Sequence, residues 1–119
     1  MKILQSAEDY LETILQIKNK RGQVRSIDIA KELNYSKASV SVAMKKLREN
    51  NYITVDDNGL ISLTENGYEI AKKINERHEL LISILVKLGV SEEQEKIDAC
   101  KIEHNVSEET FNAIKNHIK

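Results

Sequence analysis

In the stretch Ala99-Cys100-Lys101-Ile102-Glu103-His104, three residues of metal-ligand type stand at i, i+3 and i+4: Cys100, Glu103 and His104. On a helix that spacing puts a thiol, a carboxylate and an imidazole on one face, within a turn of each other. A mixed sulfur, oxygen and nitrogen set suits a first-row divalent ion. Cys100 also has a plainer reading, as a small buried hydrophobe, and a site built on Glu103 and His104 alone would survive it. Asp9 and Glu12 lie three apart on one side of the first helical segment, where an ordinary acidic first turn is the competing explanation. His78, in Glu76-Arg77-His78-Glu79, reads by itself as a surface side chain. Taken with the triplet and the Asp9/Glu12 pair, it becomes a candidate ligand from a third segment.

The elements that must position these groups follow from periodicity and caps. Ser6-Ala-Glu-Asp9 is a capping start, and Tyr10, Leu11, Ile14, Leu15 and Ile17 recur at helical spacing, so a first helix is expected over about 7–20. Gly22 ends it. Ser26 is expected to cap a short helix over 27–33. Asn34-Tyr35 makes the turn, and Ser36 caps a third helix to about Asn50 with Val40, Ala43, Met44 and Leu47 inward. Tyr52–Val55 and Leu60–Leu63 are β-type runs joined by Asp56-Asp57-Asn58-Gly59, a strong hairpin signal. Thr64 caps a long fourth helix running to about Leu88, with 75–79 as the place where it could break. Gly89 ends it. Ser91 and Gln94 open a fifth helix over about 92–105, and Ser107 caps a last one with Phe111, Ile114 and Ile118 apolar.

The expected fold is therefore mainly α with a small β-hairpin: a winged helix-turn-helix followed by a helical dimerisation region. Residues 1–70 are expected to form the winged helix-turn-helix domain, whose layout suits DNA binding, and 71–119 a helical domain for metal binding and dimerisation. The late helices cannot bury their apolar faces alone, so they are expected to pack against a second copy.

Composition agrees. The 119 residues include no Pro, four Gly and 31% charged side chains, as in a helical globular protein. A single Cys excludes an internal disulfide framework and fits a reducing compartment. No apolar run approaches a membrane span, and Met1-Lys2-Ile3-Leu4 is too short for a signal peptide, so a cytoplasmic location is expected. The net charge of −1 hides an asymmetry: Lys18 to Arg48 holds nine Lys or Arg against Asp28 and Glu32. Such a basic stretch is the footprint of a DNA-facing surface, or a solvated helix face with its acids elsewhere.

On the third helix the open face carries Lys37, Ala38, Ser39, Ser41, Val42 and Lys45. Serine hydroxyls bond base edges or phosphates, and Ala38 and Val42 fit thymine methyls. None is an Arg or Asn placed for a bidentate base contact, so direct readout is expected to be weak, with affinity from phosphates and DNA shape. Arg25, Ser36, Lys37, Lys45 and Lys46 join the interface, with Arg48 as a further phosphate candidate. Asp56 and Asp57 at the wing tip would repel phosphate.

The chain resembles the diphtheria toxin repressor and manganese transport regulator family of bacterial metal-dependent repressors. The resemblance runs through Ser6-Ala-Glu-Asp-Tyr-Leu-Glu12, Val24-Arg-Ser-Ile-Asp-Ile-Ala30, Ser39-Val-Ser41, Leu63-Thr-Glu-Asn-Gly67, Arg77-His78 and Ala99-Cys-Lys-Ile-Glu-His104. It implies a homodimer with two DNA-reading heads and metal ligands at Asp9, Glu12, His78, Cys100, Glu103 and His104. Manganese-type members usually carry Glu where this chain has Cys100. Iron-type members have Cys there, but Met where this chain has Asp9. Ile82 and Lys96 stand where the iron type has ancillary ligands, and the extra C-terminal domain of that type has no counterpart in this sequence.

The expected function is that of a metal-responsive transcriptional repressor of metal-uptake genes. As a homodimer loaded with Mn(II) or Fe(II), it would bind palindromic double-stranded operator DNA. Oxygen donors favour Mn(II) and Cys100 favours softer ions, so Zn(II) or Co(II) can fill the site in vitro. No catalysis, small-molecule substrate or membrane partner is expected. The alternatives are a redox-sensing winged-helix regulator switched through Cys100, a winged-helix protein-interaction module, and a small metallohydrolase, for which no separate general base is evident.

Overall fold

The computed structural model describes residues 5–118. Met1–Leu4 and the side chain of Ile118, both part of the sequence reading, lie outside the described residues. Among the described residues, six helices and one hairpin follow in the order α1 (Gln5–Arg21), α2 (Ser26–Leu33), α3 (Lys37–Glu49), β1 (Ile53–Val55), β2 (Ile61–Leu63), α4 (Glu65–Lys87), α5 (Glu92–Glu103) and α6 (Glu108–Ile118). The chain divides into two compact units, Met1–Lys72 and Lys73–Lys119.

In the first unit the local signals act as their chemistry dictates. Gly22 stops α1 at φ +83°, a conformation that costs glycine nothing. Asn34 ends α2 in the left-handed region, and Ser36 Oγ accepts the Ser39 amide at 3.1 Å to start α3. The strands pair antiparallel with Thr54 opposite Ser62, and Asp56 Oδ1 accepts the amides of Asn58 and Leu60 inside the turn. Thr64 Oγ1 caps α4 by accepting the Gly67 amide at 3.1 Å. A Cβ on Gly67 would stand 2.0 Å from the Tyr52 carbonyl oxygen, so no other residue fits where α4 leaves the hairpin. Leu11, Ile14, Val24, Ile29, Val40, Ile53 and Ile61 form the centre of an aliphatic core.

Two expected caps are corrected. α1 already includes Ser6, so Ser6 is not its cap. The cap of α2 is Arg25 rather than Ser26, because Asp28 Oδ2 reaches back to accept the Arg25 amide at 2.9 Å and draws the helix start forward by one residue. The strands are also shorter than the β-type runs, since the Tyr52 amide bonds back to the Leu47 carbonyl and Leu60 bonds to Asp56 within the turn.

In the second unit α4 continues unbroken through 75–79. Gly89 (φ +88°) ends the turn after it, and Ser91 and Ser107 cap α5 and α6 by accepting the amides of Gln94 and Thr110. α5 ends at Glu103, two residues short of expectation, with His104 as its C-cap. α6 is fastened to α4 by Lys73–Glu108 at 3.3 Å, by Glu76–Lys115, and by the Arg77 guanidinium lying 5.2 Å from the centre of the Phe111 ring. Ile74, Leu81, Ala99 and Phe111 are buried, while Val86, Leu88 and Ile97 stay exposed. No described helix is long and apolar enough to cross a membrane.

Candidate metal centre and DNA-reading surface

α5 presents its ligand-type residues as the i, i+3, i+4 spacing requires, and α4 brings His78 to them. Single donor atoms of His78, Cys100 and Glu103 lie within 4.8 Å of one another. The Glu103 side chain is fully buried, with His78 Nδ1 3.4 Å from Oε2 and His104 Nε2 3.7 Å from Oε1. Neither Glu103 oxygen has a hydrogen bond among the described residues. A buried carboxylate in that state is costly unless a charge or donor compensates it. Two imidazoles and a thiol around it are a donor set that a divalent first-row cation satisfies, so the residues present fit a metal ion.

Cys100 is exposed, which removes its reading as a buried small hydrophobe. Asp9 and Glu12 stand on α1 in the first unit. Asp9 is half-buried, and its carbonyl accepts the Thr13 hydroxyl at 2.8 Å. Glu12 is only 5% exposed, unlike a solvated first-turn acid.

Arg77 is the residue that reading the chain for ligands passed over. It is 8% exposed, and its Nη1 donates to the carbonyls of Glu103 (3.1 Å) and Val106 (3.0 Å). The signal was present in the spacing: Ile70, Ile74, Arg77 and Leu81 form one helical stripe, in which a charged residue occupies a core position.

On the first unit, Lys37, Ala38, Ser39, Ser41, Val42, Lys45 and Lys46 are all exposed along α3. Ser36 is engaged as the cap, with its hydroxyl 2.9 Å from that of Ser39. Arg25 is exposed, but its Nε donates to the Asn58 carbonyl at 3.2 Å, so it braces the wing turn against the start of α2. Beside this surface Tyr10 and Tyr35 meet edge to face at 6.0 Å. Burial, with Tyr35 alongside, raises the Tyr10 phenol above its ordinary value.

Comparison with known proteins matches both units. Residues 2–61 match the family model described as the iron-dependent repressor N-terminal DNA-binding domain. Residues 64–119 match the iron-dependent repressor metal-binding and dimerisation domain. An HTH-type transcriptional regulator of Methanocaldococcus jannaschii is 39% identical over 113 residues, covering 93% of this chain and 90% of that one. The HTH-type transcriptional regulator MntR of Geobacillus kaustophilus is 37% identical over 109 residues, covering 92% and 75%. Among solved structures, a manganese-dependent transcriptional repressor in complex with manganese superposes with a TM-score of 0.84 at 27% identity. That match covers 93% of this chain but 51% of the other, so the chain spans about half the length of that structure.

Proposed function

The chain belongs to the diphtheria toxin repressor and manganese transport regulator family of metal-dependent transcriptional repressors, and we propose that it represses metal-uptake genes in response to Mn(II) or Fe(II). The observation that carries the metal half of this reading is the buried Glu103 carboxylate, with His78, His104 and Cys100 gathered around it. The DNA half rests on the exposed face of α3 and the basic stretch that contains it.

His78, Cys100, Glu103 and His104 would hold the ion together with Asp9 and Glu12 from α1. When bound, the ion supplies positive charge that offsets the clustered carboxylates and a cross-link between the segments that carry them. Asp9 and Glu12 lie on the helix that leads into the helix-turn-helix, so their engagement restricts where α3 can point. In a homodimer, two α3 helices held about 34 Å apart meet successive major grooves of a palindromic operator. Lys37, Lys45 and Lys46 then neutralise phosphates, while Ser39, Ser41, Ala38 and Val42 face base edges. By linkage, operator DNA must tighten metal binding by the factor through which metal tightens operator binding.

Hard oxygen donors from Asp9, Glu12 and Glu103 favour Mn(II), and the Cys100 thiol shifts preference towards Fe(II), Co(II) or Zn(II). The test is an anaerobic operator-binding titration with Mn(II), Fe(II) and Zn(II), repeated for Cys100→Glu. A stronger Mn(II) response in Cys100→Glu is the expected outcome. An Asp9→Ala variant with an undiminished Mn(II) response would remove α1 from the site. The exposure of Cys100 favours one second reading, a redox switch at the thiol. On that reading peroxide rather than chelator releases DNA, and Cys100→Ser abolishes the response.

A further inference from the structure

Arg77 is buried on α4, one residue before His78, and its guanidinium makes contacts on three sides. Nη1 donates to the carbonyls of Glu103 at 3.1 Å and Val106 at 3.0 Å, and the group lies 5.2 Å from the Phe111 ring centre. Its Nε is buried without a hydrogen-bond partner among the described residues. The Glu103 carbonyl is one of the last of α5, and such carbonyls have no partner within their own helix. A cation at that end also meets the negative pole of the helix dipole.

These contacts do more than hold helices together. The peptide that carries the Glu103 side chain, and precedes His104, is bonded directly to the residue adjoining His78. A guanidinium presents its N–H groups in a rigid planar fork, whereas a lysine ammonium on a flexible stem fixes no such orientation. Phe111 beneath the fork and Val106 beside it limit where that fork can lie. Arg77 thus ties the end of α5, which carries Glu103 and adjoins His104, directly to the turn of α4 that carries His78.

We infer that Arg77 is a positioning residue of the metal centre, fixing the α5 ligands relative to His78 without itself binding the ion. This rests on the metal-centre reading above. Arg77→Met and Arg77→Lys are compared with wild type, with Lys73→Met as the control that breaks an exposed α4–α6 pair. The readouts are Mn(II) affinity by chelator competition, the ligand-field and thiolate charge-transfer bands of the Co(II) protein, and urea unfolding of the metal-free chain.

Arg77→Met is expected to weaken Mn(II) binding by about 10- to 100-fold, the usual effect of losing a group that orients ligands, and to shift the Co(II) bands. Lys73→Met should change neither, and Arg77→Lys should fall between, keeping charge but losing the fork. Mn(II) affinity within about twofold of wild type, with unchanged Co(II) bands, would overturn the inference. If Arg77→Met does not fold, Arg77→Lys decides by the same criterion. Wild type that binds neither ion would instead fail the metal-centre reading, whereas wild type that binds and Arg77 variants that match it fail this inference alone.

Discussion

The two units are built on opposite principles. In the first, Leu11, Ile14, Val24, Ile29 and Val40 are fully enclosed, and Glu12 is the one charged side chain buried among the described residues of that unit, with basic side chains left on the outside. In the second, Arg77, Glu95 and Glu103 are buried while Val86, Leu88 and Ile97 face outward. A core of the first kind supports itself, because apolar burial requires no partner outside the unit. The second kind depends on polar compensation: Arg77 finds it in the Glu103 and Val106 carbonyls, whereas the buried Glu103 carboxylate has no hydrogen bond among the described residues and calls for a compensating ligand. The reading unit thus has the properties of a fixed tool, and the sensing unit those of a structure whose stability depends on what binds it.

Substitutions that exchange these roles sharpen the contrast. Leu11→Ala in the first unit should cost about 2–5 kcal/mol of stability, with a urea midpoint that neither metal nor protein concentration restores to the wild-type value. Glu103→Leu should do the reverse in the second unit. It should stabilise the metal-free chain by about 1–3 kcal/mol, since an apolar side chain removes a buried carboxylate that makes no hydrogen bond among the described residues, and weaken Mn(II) binding by at least about 100-fold. Loss of stability in metal-free Glu103→Leu would mean that the carboxylate is compensated without any ion. Leu88→Glu should leave the urea unfolding of the first unit unchanged and lower self-association in sedimentation at a given concentration, as expected of an exposed apolar contact.

Smaller effects are expected on the reading surface. Lys45→Ala should weaken binding to all duplexes alike and reduce the slope of log affinity against log salt by about one. Val42→Ala should alter the preference between sequences and leave that slope unchanged. The smallest effect concerns Tyr10. Its folded pKa is raised, so its contribution to stability is complete below the ordinary phenol value near 10.0 and is lost as pH climbs through the higher folded value. Tyr10→Phe should therefore flatten the alkaline limb of the stability profile above that pH and leave neutral pH unaffected.

How much of this was legible in the sequence differs between the units for the same reason. Caps and turns are local chemistry, so Ser36, Thr64, Ser91, Ser107, Asn34 and Gly89 announced their elements within a few residues. Where a second side chain competes, the local signal misleads: Asp28 reaches back to Arg25 and overrides Ser26 as the cap. Arg25, which reads as a phosphate contact, is held by the Asn58 carbonyl 33 positions along the chain, a partner that no window of sequence contains. The i, i+3, i+4 spacing of Cys100, Glu103 and His104 was enough to gather them, because a helix fixes that geometry by itself. Arg77 was harder to see. Its charge suggested solvent, and only its place in the Ile70, Ile74, Leu81 stripe indicates burial against the end of α5.

On the proposed function, Glu103 and the donors around it make operator binding depend on a divalent ion. The most direct measurement is operator affinity for wild type and Glu103→Leu under anaerobic conditions, with Mn(II) or with chelator. Expected is tight, salt-sensitive binding by wild type that chelator abolishes, and weak binding by Glu103→Leu in both conditions. Wild-type binding that chelator leaves unchanged, or a Glu103→Leu variant that still tightens on Mn(II) as wild type does, would contradict it.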